Sequence, residues 1–142
     1  MKIAVACDHG GLDLKRAVIE FLQHLGHEVA DLGTHDSASI DYPDYAKKVC
    51  EQLKSGVAER GVLVCGTGQG MAMTANKIAG VRAAVVSDAF SARMAMEHND
   101  ARVLCLGQRV LGTSLATECL NTWLNAEFGG GRHARRVAKI EE

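Results

Sequence analysis

A cysteine precedes a glycine-rich loop in the segment RGVLVCGTGQGMAMTANK, residues 60–77. Cys65 ends an apolar run, and Gly66, Gly68 and Gly70 follow it at every second position before a helical-looking segment. Backbone N–H groups of such a loop, with the N-terminus of the following helix, can surround an anion. The same surroundings favour a thiolate, which can act as a base or nucleophile. The alternative is a buried thiol at a strand end, followed by a tight turn that requires glycine.

Two other short segments carry acid–base side chains. Asp8 and His9 follow the first apolar run, where they could act as general acid and base, or Asp8 could cap the next helix. His98 and Asn99 follow a segment with helical spacing. Here too a structural explanation is available, because histidine is favourable at the negative end of a helix and asparagine tolerates a left-handed cap.

A cluster of basic residues lies near the end of the chain, after three consecutive glycines: Arg132, His133, Arg135 and Arg136. Arg132 and Arg136 are four residues apart, so on a helix they share a face and could hold one phosphate. The alternative is a solvated run of terminal charge.

The glycine loop matches neither standard nucleotide motif. It lacks the Walker sequence, and the third glycine comes one residue too early for the dinucleotide fingerprint, so that Met71 occupies its place. Asp88, however, follows the next apolar run at roughly the offset of a ribose-binding acid. A nucleotide-binding regulatory module therefore stays open as an alternative. A thiol redox sensor is a weaker one, since Cys65 has no nearby cysteine partner.

Five apolar runs predict the strands that position these residues: residues 2–7, 28–32, 61–65, 82–87 and 102–106. They are nearly continuous, which indicates strands covered on both faces. Segments with helical spacing separate them, such as the one that contains Leu14, Val18 and Leu22 and that Gly26 closes. Strands that alternate with helices form parallel sheets. We therefore expect one three-layer α/β/α domain over residues 1–142, with a helical tail at about residues 130–142. In such sheets ligands bind beyond the carboxyl ends of the strands.

Composition excludes several classes of function. The 16 Lys and Arg residues nearly balance 17 Asp and Glu residues, so no overall field attracts nucleic acid or an anionic membrane. No apolar run approaches the length of a membrane span, and no signal peptide is recognisable, so we expect a cytoplasmic protein. The five cysteines are scattered, without a C-x-x-C pair, and indicate reduced thiols rather than a disulfide or zinc framework.

Seven motifs, in order along nearly the whole chain, resemble those of the type B ribose-5-phosphate isomerases. They are CDHGG, DYPDYA, CGTGQG, ANK, EHND, GQRV and GGRHARRV, at residues 7–11, 41–46, 65–70, 75–77, 97–100, 107–110 and 130–137. The resemblance implies a Rossmann-like domain with a five-stranded parallel sheet. It also implies a metal-free and cofactor-free aldose–ketose isomerase of the pentose phosphate pathway, which interconverts D-ribose 5-phosphate and D-ribulose 5-phosphate. Such enzymes are homodimers with shared active sites, sometimes tetramers.

The resemblance also implies roles for particular residues. Cys65 would be the base that moves a proton between C2 and C1 of the sugar, assisted by Thr67. The loop amides, with Asn99, would stabilise the enediolate, and His98 with Asp8 would open the furanose ring. The loop residues concerned are Gly66, Gly68, Gln69 and Gly70.

The remaining implied residues bind the substrate. Tyr42 would line the sugar pocket, and His9, Arg109, Arg132 and Arg136 would surround the phosphate. His98, Asn99 and Arg109 would come from the partner subunit. The related galactose-6-phosphate isomerases share the fold, so a six-carbon substrate, galactose 6-phosphate or allose 6-phosphate, stays an alternative.

Overall fold

The structure, a computed structural model, describes residues 1–142. Strands and helices alternate from β1 to α5, and a sixth helix follows. The elements are β1 Lys2–Cys7, α1 Leu12–His24, β2 Glu28–Asp31, α2 Tyr42–Lys54, β3 Arg60–Cys65, α3 Gln69–Asn76, β4 Ala83–Val85, α4 Ala89–Glu97, β5 Val103–Gly107, α5 Thr113–Asn125 and α6 Arg132–Ile140. None of the helices combines the length and apolar character that crossing a bilayer requires.

The five strands form one parallel sheet in the order β2-β1-β3-β5-β4. Alternate residues of β1 serve opposite faces: Ile3 and Val5 join a core with α1, α4 and α5, whereas Ala4 and Ala6 join a core with α2 and α3. Since side chains alternate across a strand, two separate cores need helices on both sides of the sheet. The predicted three-layer, Rossmann-like α/β/α fold with a five-stranded parallel sheet is confirmed.

The edge strand β4 is shorter than the predicted run of residues 82–87. The side-chain amide of Asn76 accepts a hydrogen bond from Ala83 N at 2.8 Å and donates one to Ala83 O at 3.0 Å. It thereby occupies the backbone groups that a sixth strand would use, which protects the edge of the sheet. Of the other strands, β1 matches the prediction, β2 and β3 differ from it by one residue at one end, and β5 is displaced by one residue at both ends.

Two sequence interpretations of the turns are wrong. Asp8 does not cap α1, because the helix begins after Gly11 and no side chain caps it. In the turn after α4, the left-handed residue is Asp100, with φ of 45°, and not Asn99. The C-terminal glycine of α1 is confirmed, since Gly26 has φ of 87°.

Candidate active site

The glycine-rich loop lies at the carboxyl end of the sheet. The pairing of β3 with β5 runs from Gly61 opposite Val103 to Cys65 opposite Gly107, so Cys65 is level with the last residue of β5. We call this end of the sheet, where the loops after the strands meet, the carboxyl end, and the opposite end the amino end. The carboxyl end is where ligands bind in open parallel sheets.

The thiol of Cys65 is held by its own loop. Gly68 N donates a hydrogen bond to Cys65 Sγ at 3.0 Å, and the thiol is buried, with 5% of the residue exposed. Gly68 has φ of 80° and directly precedes α3. A Cβ at this position would approach the carbonyl carbon of Leu106 to 3.2 Å. Positive φ and close packing on β5 both require glycine here, and the resulting turn directs an N–H group and a helix N-terminus at the sulfur.

The turn after β1 lies beside this loop. Gly10 N donates to Asp8 Oδ1 at 2.8 Å, and a Cβ on Gly10 would lie 3.4 Å from Gly66 N. The carboxylate of Asp8, 8% exposed, is therefore next to the start of the glycine loop. His9 accepts a hydrogen bond from Ile40 N at Nδ1, at 3.2 Å, which ties the loop after β2 to the same region.

Tyr42 and Thr67 complete the surroundings of the loop. The ring of Tyr42 packs on Gly70, where a Cβ would come within 2.6 Å of a ring carbon. Thr67 Oγ1 accepts a hydrogen bond from Gln69 N at 3.3 Å. The backbone of Thr67 packs on Gly107, and a Cβ there would be 2.7 Å away from it. The loop therefore lies flat against the end of β5.

Arg109 also belongs to this end of the sheet. Its backbone N donates to Gly66 O at 3.0 Å, and its guanidinium lies against Gly66, with Nη1 3.3 Å from where a Cβ would stand. Within one chain, Arg109 therefore lies with Cys65 and not with His98 and Asn99, because β3 and β5 are neighbours and the loops that follow them meet. The resemblance had grouped Arg109 with His98 and Asn99 as residues of the partner subunit.

The other candidate residues lie at the amino end. Helix α4 starts after β4 and runs back along the sheet, so His98 follows it shortly before β5 begins. The ring of His98 stacks on that of His133 with centroids 4.2 Å apart and planes at 11°. His133 lies in α6 between Arg132 and Arg136, and α6 has no buried residue. Within one chain, the structure groups His98 and Asn99 with the arginines of α6.

The two groups are consequently separated in the chain. Asp8, His9, Tyr42, Cys65 to Gly70 and Arg109 lie at the carboxyl end, whereas His98, Asn99, Arg132 and Arg136 lie at the amino end. In particular, Asp8 and His98, the implied pair for ring opening, do not meet within one copy.

The other four cysteines are core residues. Burial raises the pKa of Cys7 and of Cys50 to about 11, and it also raises the pKa of Cys105 and Cys119. Burial disfavours a thiolate, and these thiols occupy the two hydrophobic cores. The buried-thiol interpretation therefore applies to them.

Asp88 caps a helix. Its carboxylate accepts hydrogen bonds from Ser91 N at 2.7 Å and Ser91 Oγ at 2.8 Å, and these bonds lower the pKa of Asp88. Both oxygens are thus engaged at the start of α4. This placement removes the main sequence feature behind the nucleotide-binding alternative.

A buried lysine was missed by sequence reasoning. Lys15 in α1 is 2% exposed, and its Nζ donates to Asp31 Oδ1 at 2.8 Å and to Thr34 O at 2.6 Å. Burial alone would raise the pKa of Asp31, but the Lys15 and Gly33 hydrogen bonds outweigh it, and the pKa is lowered. Lys15 therefore fastens the loop that contacts His9. The available signal was its position three residues before Val18 and seven before Leu22, which puts it on the apolar face of α1.

Comparisons with known proteins show which family the chain resembles over its length. The model of the Ribose/Galactose Isomerase family matches residues 3–140. The structure of Clostridium thermocellum ribose-5-phosphate isomerase B superimposes with a TM-score of 0.98 at 54% identity, covering 99% of this chain and 95% of that one. Escherichia coli K12 ribose-5-phosphate isomerase B is 45% identical over 139 residues, which cover 98% of this chain and 93% of the relative.

A relative named for another substrate also matches. D-erythrulose-4-phosphate isomerase of Pectobacterium atrosepticum is 42% identical over 141 residues, covering 99% of this chain and 93% of the relative. The family match over nearly the whole chain confirms the resemblance drawn from the seven motifs. The chain belongs to the ribose/galactose isomerase family.

Proposed function

We propose that the protein interconverts D-ribose 5-phosphate and D-ribulose 5-phosphate through an enediolate, with Cys65 as the base. The observation that carries this proposal is the 3.0 Å hydrogen bond from Gly68 N to Cys65 Sγ. It places the sulfur beside a loop of backbone amides and a helix N-terminus, and proton abstraction next to a carbonyl requires a base with such donors close by.

The proton transfer then proceeds as follows. In the open-chain aldose the thiolate takes the proton from C2, a double bond forms between C1 and C2, and O1 carries the negative charge. The amides of residues 66–70 stabilise that charge, and one lost donor of this kind costs about 2.7–4 kcal/mol of barrier. The proton on O2 moves to O1, assisted by the Thr67 hydroxyl, and the thiol returns its proton to C1. The carbonyl is then at C2, and the thiolate is regenerated.

Ring opening needs a second acid–base group, because the substrate is mostly a closed furanose. An imidazole can both donate and accept a proton, so we assign this role to His98, with Asp8 as its partner. Since the two residues lie at opposite ends of the sheet in one copy, the proposal requires a homodimer in which the amino end of one copy covers the carboxyl end of the other. Three exposed apolar residues near the carboxyl end, Met73, Phe90 and Val110, support such a contact. Dimers could pair further into tetramers.

The phosphate would be held by cations from both copies. Arg109 and His9 belong to the carboxyl end of one copy, and Arg132 and Arg136 to the α6 helix of the other. The ion pairs of the chain use none of these three arginines, so their guanidinium groups are free for an anion. Binding energy from a phosphate remote from C1 and C2 can orient the reacting carbons.

The number of carbons in the sugar is the part of the proposal that the assay must decide. One relative is named for a four-carbon substrate, and the family is named for both ribose and galactose. The test is an isomerase assay of the purified chain with ribose 5-phosphate, allose 6-phosphate, galactose 6-phosphate and erythrulose 4-phosphate, with EDTA present. We expect the highest kcat/KM for ribose 5-phosphate. A higher kcat/KM for another of these sugars would make that sugar the substrate in place of ribose 5-phosphate. If none of the four sugars were turned over, the isomerase assignment would be overturned. Saturable NAD binding without turnover would favour the nucleotide-binding module.

A further inference from the structure

Arg82 joins two segments at the amino end of the sheet. It lies directly before β4, and its side chain is 17% exposed. Its Nε donates to Asn99 O at 2.9 Å, and its Nη2 donates to Asp100 O at 3.2 Å and Asp100 Oδ2 at 3.1 Å. Its Nη1 donates to Glu141 Oε1 at 2.6 Å. One guanidinium therefore holds both the turn after α4 and the residue that follows α6.

The turn held by Arg82 has an unfavourable backbone. Asp100 has φ of 45°, in the left-handed region that residues other than glycine rarely adopt. Its two carboxylate oxygens are bound by different arginines, Oδ2 by Arg82 and Oδ1 by Arg102 at 3.0 Å. Strained residues of this kind persist where the surroundings hold them, and they concentrate at functional sites. The shape of the turn, and with it the position of Asn99, thus depends on these arginines.

Helix α6 depends on the same region. None of its residues is buried, so packing alone holds it weakly. At its start, Gly129 N donates to Glu97 O at 2.8 Å, and His133 stacks on His98. At its end, Glu141 receives the bond from Arg82 at one oxygen and a bond from Gly80 N at 3.1 Å at the other. Both ends of α6 are therefore fastened to the segment that carries His98 and Asn99, or to Arg82 beside it.

We propose that Arg82 is a positioning residue that makes the His98–Asp100 turn and helix α6 one rigid unit. Through this unit, the ring-opening histidine, the enediolate-binding asparagine and the phosphate-binding arginines are presented in a fixed relation. The catalytic part of this proposal rests on the isomerase function proposed above. The mechanical part, that one guanidinium couples two segments, stands on its own.

The experiment compares variants at the two ends of this contact. R82K keeps the charge but loses the planar fork that binds three acceptor residues. E141A removes only the anchor of α6, and the bonds from Arg82 to Asn99 and Asp100 stay. The matched controls are R102M, which loses a bond to Asp100 but none to Asn99 or Glu141, and E142A, the next residue, which makes no ion pair. Hydrogen exchange, kcat and KM are measured for each folded variant.

We expect R82K to speed amide exchange in residues 98–101 and 132–140 together. It should also lower kcat/KM by up to about 10²-fold, the scale of an ångström-sized misplacement. E141A should speed exchange in α6 and raise KM, with kcat little changed, because it disturbs phosphate binding alone. E142A should leave exchange, kcat and KM as in the parent. R102M loosens the turn at Asp100 but should leave α6 exchange as in the parent, because Arg102 makes no bond to Glu141. Faster exchange in only one segment of R82K would overturn the coupling. If folded R82K had the kcat and KM of the unsubstituted protein, the positioning role would be overturned. If the unsubstituted protein itself showed no turnover, the isomerase proposal would be overturned, and the exchange result alone would decide whether Arg82 couples the two segments.

Discussion

Cys65 and His98 lie at opposite ends of the same parallel sheet. Cys65 is paired with Gly107, the last residue of β5, whereas His98 precedes Val103, the first residue of that strand. The paired length from Gly61 to Cys65 alone separates the two ends by about 13 Å along the strands. One copy of the chain therefore holds two incomplete sets of candidate residues, and a single active site would draw one set from each of two copies.

The thiol of Cys65 can be tested directly. C65A should lower kcat by about 10²–10⁴-fold, the usual contribution of a general base, with KM for ribose 5-phosphate little changed. The matched control is C50A, which removes a buried thiol of α2 that lies outside the proposed active site. Steady-state kinetics on both folded variants provide the measurement. A C65A enzyme within tenfold of the parent would remove Cys65 from the role of base.

The turn that holds the thiol should be intolerant of a side chain. In G68A, a left-handed alanine costs about 1–2 kcal/mol of stability, and the new Cβ would also meet the Leu106 carbonyl carbon at 3.2 Å. The result should be a loss of stability in urea unfolding together with a loss of kcat.

Gly56 offers the matched control for that substitution. It has φ of 76°, but a Cβ there would have no atom within 4 Å, and it follows α2 at the amino end of the sheet. G56A should therefore lose stability through backbone strain alone and keep its kcat. Equal losses of kcat in the two variants would show that the activity follows global stability rather than the position of the Gly68 amide.

The stacked histidines should make stability depend on pH. Partial loss of solvent around the ring lowers the pKa of His133, and neighbouring His98, Arg132 and Arg136 lower it further, from an ordinary value of 6.5. As pH falls below that value, the unfolded chain takes up a proton that the folded chain resists, so the folded state loses stability. Well above pH 6.5, His133 is neutral in both the folded and the unfolded chain, so it makes no pH-dependent contribution to stability.

Unfolding in urea at about pH 7.5 and about pH 5.5 measures this dependence. H133Q should lose less stability between the two values than the parent does. Adding H27Q to H133Q should reduce the loss of stability between the two pH values further, because burial also lowers the pKa of His27. An H133Q protein with the full pH dependence of the parent would show that the stack does not resist protonation.

Much of the fold could be predicted from the sequence, because it depends on local patterns. The runs of β1 and β3 are apolar on both faces, which is typical of central parallel strands. Gly26 marks the end of α1 as a left-handed glycine does. The length of β4 could not be predicted, since it is set by pairing with β5 over Ala83–Val85 only, and β5 is distant in sequence. Nor could the closing of its outer edge be predicted, because it depends on Asn76, a side chain from another element.

The site was harder to predict than the fold. Cys65 and its glycines are neighbours in sequence, so their arrangement follows from local turn geometry. The contacts of Arg82 join residues 17 and 59 positions away, and the stack of His98 on His133 joins two helices. No rule based on the spacing of residues along the sequence predicts such pairs. The contact of Arg109 with the glycine loop of its own chain could not be predicted for a similar reason, because it depends on β5 lying next to β3.

The division of the site between two copies can be tested by mixing two inactive variants, C65A and H98N. In a mixed dimer, one site combines the intact Cys65 of one copy with the intact His98 of the other, and the second site lacks both. Half of randomly reassorted dimers are mixed, so ribose 5-phosphate turnover should recover to about a quarter of the parent's. If each copy supplied both residues to its own site, no combination would restore a complete site, and the mixture would stay as inactive as either variant alone.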